Sequence, residues 1–181
     1  MKYKKTVKLK DGRECTLRNG TEADAQAVLD IFKLTHEQTD LLLSYPDEIT
    51  FTVEQEAEFL KGKEESANSI EILAEIDGAV AGTAGISPVG GCYKVRHRAE
   101  FGISVDMEYW GLGIGSELTE ACIECARTAG FTQLELDALA DNERALSLYR
   151  KMGFVEFGRN PRGFNSRISG YNEVVYMRLE L

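Results

Sequence analysis

Apolar residues recur at two periods along this chain, and each change of period marks an element. Residues 5–10 and 14–18 form short, partly alternating runs around Asp11-Gly12, a dipeptide that supplies the positive φ of a tight hairpin; the segment reads as a strand pair or one bulged strand. Thr21 precedes Glu22 and Asp24, and Ala27, Val28, Ile31, Phe32 and Thr35 follow at helical spacing, which predicts a capped helix to about His36. Ser44, Tyr45, Pro46 and Asp47 then break the pattern, so 37–50 reads as a loop with a turn of helix at Leu41–Leu43. Thr52 with Gln55 makes a capping box ahead of Ala57, Phe59 and Leu60, opening a second helix that ends near Gly62–Glu65.

Further along, Ile70–Ile76 is apolar, Asp77-Gly78 signals another hairpin, and Ala79–Val89 continues as a glycine-interrupted strand. A loop over 88–94 leads to a long strand, Val95–Val105. Gly111–Gly115 opens a helix whose Ile114, Leu118, Ala121, Cys122, Cys125 and Ala129 share one face, and Gly130 closes it as a left-handed cap. Gln133–Ala138 reads as strand, Asn142–Met152 as helix with Gly153 as its stop, Phe154–Phe157 as strand, 158–170 as a polar loop and Tyr171–Leu181 as a last strand. Hairpins demand antiparallel pairing, while the crossover through 113–129 demands a parallel neighbour. The sum is an α/β (α+β) fold, a mixed sheet with helices on both faces.

Composition changes the picture little. The 181 residues are one domain's worth of material, with no repeat or linker, and a chain of this size buries roughly 70% of its unfolded surface without disulfides or metals. A net charge of -9 argues against nucleic acid as a partner. No apolar run reaches the roughly 20 residues that span a bilayer, so the expectation is a cytoplasmic protein without membrane contact. Cys15, Cys92, Cys122 and Cys125 read as free thiols, and neither they nor His36 and His97 have the spacing of metal ligands.

The candidate chemistry lies in the strand–turn–helix at 101–118. A helix that starts inside a glycine run offers unpaired N–H groups and about half a positive charge, with no side chains at Gly111, Gly113 and Gly115 to hold a phosphate away. The plainer reading is a tight turn and nothing more. There is no GxxxxGK[ST], and Ser116 stands where the last glycine of a dinucleotide fingerprint would fall.

Trp110-Gly111-Leu112-Gly113-Ile114-Gly115 resembles the Q/R-x-x-G-x-G/A signature of the GCN5-related N-acetyltransferase (GNAT) superfamily, with Trp110 where Gln or Arg is usual. The run from Asn142 through Tyr149 to Gly153-Phe154 resembles that superfamily's second hallmark. The resemblance implies a mostly antiparallel sheet with a parallel βαβ unit. It also implies acetyl-CoA as co-substrate, with its pyrophosphate on the amides of 111–116 and its pantetheine arm along Ile103, Ser104 and Val105, within reach of Asn142.

Acetyl transfer from a thioester needs a neutral amine, a stabilised oxyanion and a proton for the thiolate. Tyr149 lies two helical turns from Asn142 on the same face, and its phenol is the candidate acid; otherwise it is a core tyrosine beside Ala145 and Met152. In an alternating strand Glu100 shares its side with the small Gly102 and Ser104, so it is the candidate base, acting through water or holding a cationic acceptor; otherwise it is a solvated carboxylate or the partner of Arg96 or Arg98. The N–H of Val105 is a candidate oxyanion donor.

Arg159, Arg162 and Arg167 form a basic cluster that salt-bridges acidic elements, gates the acceptor side or touches the 3′-phosphate. The resemblance implies an N-acetyltransferase acting on a small-molecule or peptide primary amine by direct attack in a ternary complex, and no cysteine sits in a nucleophile setting. Glu37, Asp40, Asp47 and Glu48 would suit a polyamine, aminoglycoside, peptide N-terminus or lysine, whereas an amino acid acceptor would want the arginines near 162. The alternative is a non-catalytic acyl-CoA sensor or partner-binding module; a nucleotide-binding protein is disfavoured by the missing Lys. Homodimers are common in the resembled family, though no interface is marked in this sequence.

Overall fold

In the computed structural model, which describes residues 1–181, the strands are β1 (Lys4–Lys8), β2 (Glu14–Asn19), β3 (Ile70–Ile76), β4 (Ala79–Pro88), β5 (Arg98–Val105), β6 (Gln133–Leu139), β7 (Val155–Ser166) and β8 (Gly170–Glu180). The helices are α1 (Ala25–Gln38), α2 (Val53–Glu65), α3 (Ile114–Thr128) and α4 (Glu143–Lys151). The strands form one sheet in the order β1-β2-β3-β4-β5-β6-β8-β7. All neighbours are antiparallel except β5 and β6, which α3 connects by crossover.

Strand alternation divides the sheet into two faces. Ile70, Ile72, Ala74 and Ile76 of β3 pack with Ala99 and Phe101 of β5 against Leu118, Ala121, Cys122 and Cys125 of α3. Leu73, on the other face, packs with Ala25, Val28 and Leu60 of α1 and α2. The expected helices on both faces are therefore present, and the cysteines are free thiols. Burial among apolar neighbours pushes the Cys125 thiol up to about 11 and that of Cys122 well above its ordinary value.

Local signals explain most boundaries. Thr52 Oγ1 accepts from Gln55 N at 3.3 Å and Gln55 Oε1 from Thr52 N at 2.9 Å, closing the capping box of α2. Asp77 and Gly78 both take positive φ (50° and 84°), the conformation a two-residue hairpin turn requires.

The polar segment expected to be a loop at 158–170 is instead the body of a long hairpin, β7 reaching Ser166 and β8 starting at Gly170. Both faces of β7 are largely exposed, so there was no apolar alternation to read. Three smaller expectations also change. β1 ends at Lys8, β5 begins at Arg98 because 95–97 is a turn, and the helical turn of the 37–50 segment lies at Pro46–Glu48 rather than Leu41–Leu43. Pro46, with its fixed φ, sits at the first position of that turn.

Arg18 of β2 ties the start of α1 to the sheet, donating to both carboxylate oxygens of Asp24 (2.8 and 2.9 Å) and to Glu75 (2.9 Å). With the Thr21 N–H and hydroxyl also on Asp24, its carboxyl is held down to about 2. A depressed carboxyl stabilises above its unfolded value and loses that contribution as pH falls toward the folded one. Asp24→Asn is therefore expected to remove roughly 2 kcal/mol at pH 7 and almost nothing near pH 2, read from urea unfolding at both pH values.

Candidate functional site

The site begins where β5 and β6 part. β5 pairs with β4 from Ala99 to Val105, but with β6 only through Arg98–Glu100 against Gln133–Glu135. The Asp106 N–H donates to Ala81 O on the β4 side, while His97 O accepts from the Thr132 and Gln133 N–H groups on the β6 side. Backbone groups alternate along a strand, so Phe101, Ile103 and Val105 turn theirs into the gap and Ser104 turns its own toward β4. An unpaired strand edge, with the backbone groups of Ile103 and Val105, thus faces a cleft. Ser104 instead contributes its side chain, whose buried Oγ has no hydrogen-bond partner.

At the mouth of this cleft lies the glycine turn. Gly111 and Gly113 have φ of 84° and 105°, a region that favours glycine, and Gly113 caps α3. No atom lies within 4 Å of where a Cβ would stand at either. Ser116 was expected among the phosphate-binding amides, but its N–H donates to Gly113 O at 3.0 Å within the helix. The backbone N–H groups left without an intrahelical partner are therefore those of 111–115, Leu112 and Ile114 included. This cradle fits a pyrophosphate on the chemistry of its donors: a helix N-terminus in a bare glycine run.

Trp110 has a different task from the usual Gln or Arg. Its indole N–H donates to Val105 O at 2.7 Å, fastening the turn to the end of β5, and the Arg144 guanidinium lies 3.8 Å from its ring centroid. The sequence reading missed Arg144, whose partner is 34 residues away. Gln38 was missed likewise: it donates to Asp106 Oδ1 (2.7 Å) and accepts from Met107 N (2.9 Å), clamping α1 to the turn.

Two cavities meet at the gap. One of about 460 Å³ runs from the cradle past Trp110, Arg144 and Asn142 to Tyr149. The other, about 810 Å³, lies over the sheet beneath α1 and contains Glu71, Glu100, Gly102 and Asp137. Ile103, Ser104, Asn142 and Tyr149 line both. Asn142 caps α4 through Oδ1, which accepts from Ala145 N at 3.2 Å, and its Nδ2 donors are free for a ligand. Tyr149 is a core residue edge-on to Phe101 (6.1 Å, 87°) that also forms part of the wall of each cavity. Burial, and secondarily the charge of Asp137, raise its phenol above its ordinary value, so it carries a proton at neutral pH.

Glu100 is exposed on the cavity side and is not held by the arginines beside it: Arg98 is paired with Glu135 in a bidentate contact and Arg96 stacks over Tyr93. The basic cluster is also engaged, Arg159 with Glu156 and Glu173, Arg167 with Asp47 and Glu48, and Arg162 over Tyr171. Of the loop acids expected at the acceptor side, Asp40 is held by Tyr45 and Ser166 and Asp47 by Arg167. His36, set aside from sequence, lines the larger cavity with its Nδ1 2.6 Å from Phe32 O, and burial pushes its pKa down.

Residues 27–154 match the model of the Acetyltransferase (GNAT) family. Among curated relatives, an N-alpha-acetyltransferase, RimI, of Mycobacterium tuberculosis is 37% identical over 97 residues, 54% of this chain and 58% of that one. Two others, N-alpha-acetyltransferase 30 of Schizosaccharomyces pombe and N-acetyltransferase 8B of Homo sapiens, are matched over 49% and 39% of their own lengths, so the chain spans about half of these relatives. A solved GNAT-family acetyltransferase from Streptococcus pneumoniae superposes with a TM-score of 0.88 at 30% identity, over 92% of this chain and 99% of that one. The fold alone is shared with yncA from Salmonella typhimurium, solved with its cofactor acetyl-CoA (TM-score 0.81, 19% identity, 92% and 94% covered). No helix here is long and apolar enough to cross a membrane.

Proposed function

Because this chain belongs to the acetyltransferase (GNAT) family, we propose that it is an N-acetyltransferase in which residues 1–181 act as one catalytic domain, joining acetyl-CoA and a primary amine in a ternary complex. The observation that carries this reading is the junction of the two cavities at an unpaired strand edge, with Tyr149 on the wall of both. Acetyl-CoA, when bound, supplies the thioester carbonyl and a thiolate leaving group.

Each remaining task falls to a residue of this chain. The free amides of 111–115 hold the pyrophosphate, with Arg144 on Trp110 as a cation at the rim. Ile103 and Val105 align the pantetheine arm as an added strand, helped by Asn142 Nδ2. Val105 O is occupied by Trp110, but its N–H stays free to hold the carbonyl oxygen as charge develops there. Glu100 receives the ammonium proton through water, and the amine nitrogen then forms a bond to the carbonyl carbon, shedding its second proton to water, as the carbon–sulfur bond breaks. Tyr149 gives its proton to the departing sulfur and is reprotonated from solvent. Buried, inert Cys122 and Cys125 give no covalent acyl-enzyme route.

Thermal unfolding with acetyl-CoA, against ATP and NAD, tests the cradle. Acetyl-CoA at 100 times its dissociation constant adds about 2.7 kcal/mol, a rise of roughly 5–10 °C for this chain length. No shift, or an equal one with ATP, would remove the assignment. Arg144→Ala is expected to weaken acetyl-CoA about tenfold with little change in kcat, because it loses a charge-assisted contact distant from the reacting atoms. An unaltered dissociation constant would leave Arg144 a packing partner of Trp110 and no more.

A further inference from the structure

The floor of the larger cavity is a row of residues set by register. Glu71 of β3 stands opposite Gly85 of β4, and Gly85 opposite Gly102 of β5, so two positions without side chains separate Glu71 from the gap. A Cβ at Gly85 would collide with Glu71 Oε2, so the glycine is what lets this carboxylate lie along the trough. Two strand spacings put Glu71 roughly 10 Å from β5. At the far end of the same face stand Glu100, Asp137 and the buried Ser104 hydroxyl, which has no partner within the protein.

The charges of this cavity are one-sided. Arg98 is its only arginine and is paired with Glu135, while the arginines an acceptor carboxylate would need are bound elsewhere. Lys63 of α2 lies beside Glu71, its Nζ on Ile86 O (3.1 Å) and Ser87 Oγ (2.6 Å), and it balances one of the three carboxylates. The other charged neighbour of Glu71 is Glu56 of α2, also acidic. Burial outweighs Lys63 and a hydrogen bond from Thr83 and raises the Glu71 carboxyl to about 7, so a further cation in the trough would shift it toward its charged form.

Resting on the acetyl-transfer reading above, we infer that the acceptor is an aliphatic diamine or polyamine, its reacting nitrogen at Ser104 and Glu100 and its second ammonium at Glu71. Ser104 Oγ accepts from, or donates to, the amine at the gap, which satisfies the one orphaned buried hydroxyl. An amino acid would bring its carboxylate against Glu71, Glu100 and Asp137 with no free cation to receive it.

The test is thiol release from acetyl-CoA by the full chain, with putrescine, cadaverine and spermidine compared with butylamine, lysine and a short peptide with a free N-terminus. A diamine or polyamine is expected to exceed butylamine in kcat/KM at least tenfold. Glu71→Gln is expected to bring that preference to within about threefold through KM, with the acetyl-CoA thermal shift retained as evidence of folding. Thiol release that ranks butylamine, lysine or the peptide equal to or above the diamines would overturn the acceptor assignment and leave acetyl transfer standing. No thiol release with any amine, in protein whose melting point acetyl-CoA raises, would overturn acetyl transfer and the acceptor assignment with it.

Discussion

Tyr149→Phe is expected to lower kcat by roughly 10²–10³-fold while the acetyl-CoA dissociation constant changes by less than about threefold. Only the hydroxyl is lost. The ring keeps its packing on Phe101 and Phe154, so the α4 wall and the junction of the cavities stay in place. Burial that disfavours phenolate would also disfavour a free thiolate in the same place, so the proposed mechanism has the proton pass to sulfur as the bond breaks rather than before it. Single-turnover thiol release with a chosen amine, beside thermal shifts with acetyl-CoA, separates chemistry from binding. A variant that turns over at the parent rate would show that the thiolate leaves without an acid from this residue.

Gly115→Asp should abolish acetyl-CoA binding in practical terms, weakening it 100-fold or more, with the fold retained. An acid in the first turn of α3 suits the helix dipole, and the new Cβ would meet only Leu148 Cδ2 at 3.4 Å, the end of a flexible side chain. What changes is the ligand's view of the cradle: a fixed negative charge among the amides that are to receive a pyrophosphate, where like charges in contact cost several kcal/mol. Urea unfolding near the parent midpoint together with no acetyl-CoA thermal shift is the expected pair of results. A retained shift would mean the phosphates lie elsewhere than 111–115.

How far the chain could be read depended on where the signal lies. The glycine turn and α3 were legible because positive φ, a bare helix start and a 3.6-residue apolar face are local properties. The same holds for α2, whose capping box is four residues long. The β7–β8 hairpin was not legible, since strands exposed on both faces leave no period in the sequence. Glu100 emerged from strand alternation and Tyr149 mostly from the family resemblance, yet their meeting place did not. It is produced by β5 and β6 separating after three pairs, which no residue between 98 and 105 announces. Glu71 lies 29 residues before Glu100 and reaches its cavity only through the β3–β4–β5 register. Arg144 likewise acquires meaning only when α4 brings it onto Trp110.

The bare edge of β5 also bears on what can pair with this chain. A strand with unpaired amides and carbonyls is a template for another molecule's strand, and proteins ordinarily blunt such edges with charge, proline or a bulge. Here the edge is neither charged nor broken, but it lies inside a wedge: β6 still pairs at Arg98–Glu100 and closes one end, while the Trp110 indole occupies Val105 O at the other. A slender ligand arm can enter between those limits, whereas a flanking strand with its own neighbours would meet β6 first. At this edge it is access, rather than charge or proline, that limits the addition of another strand.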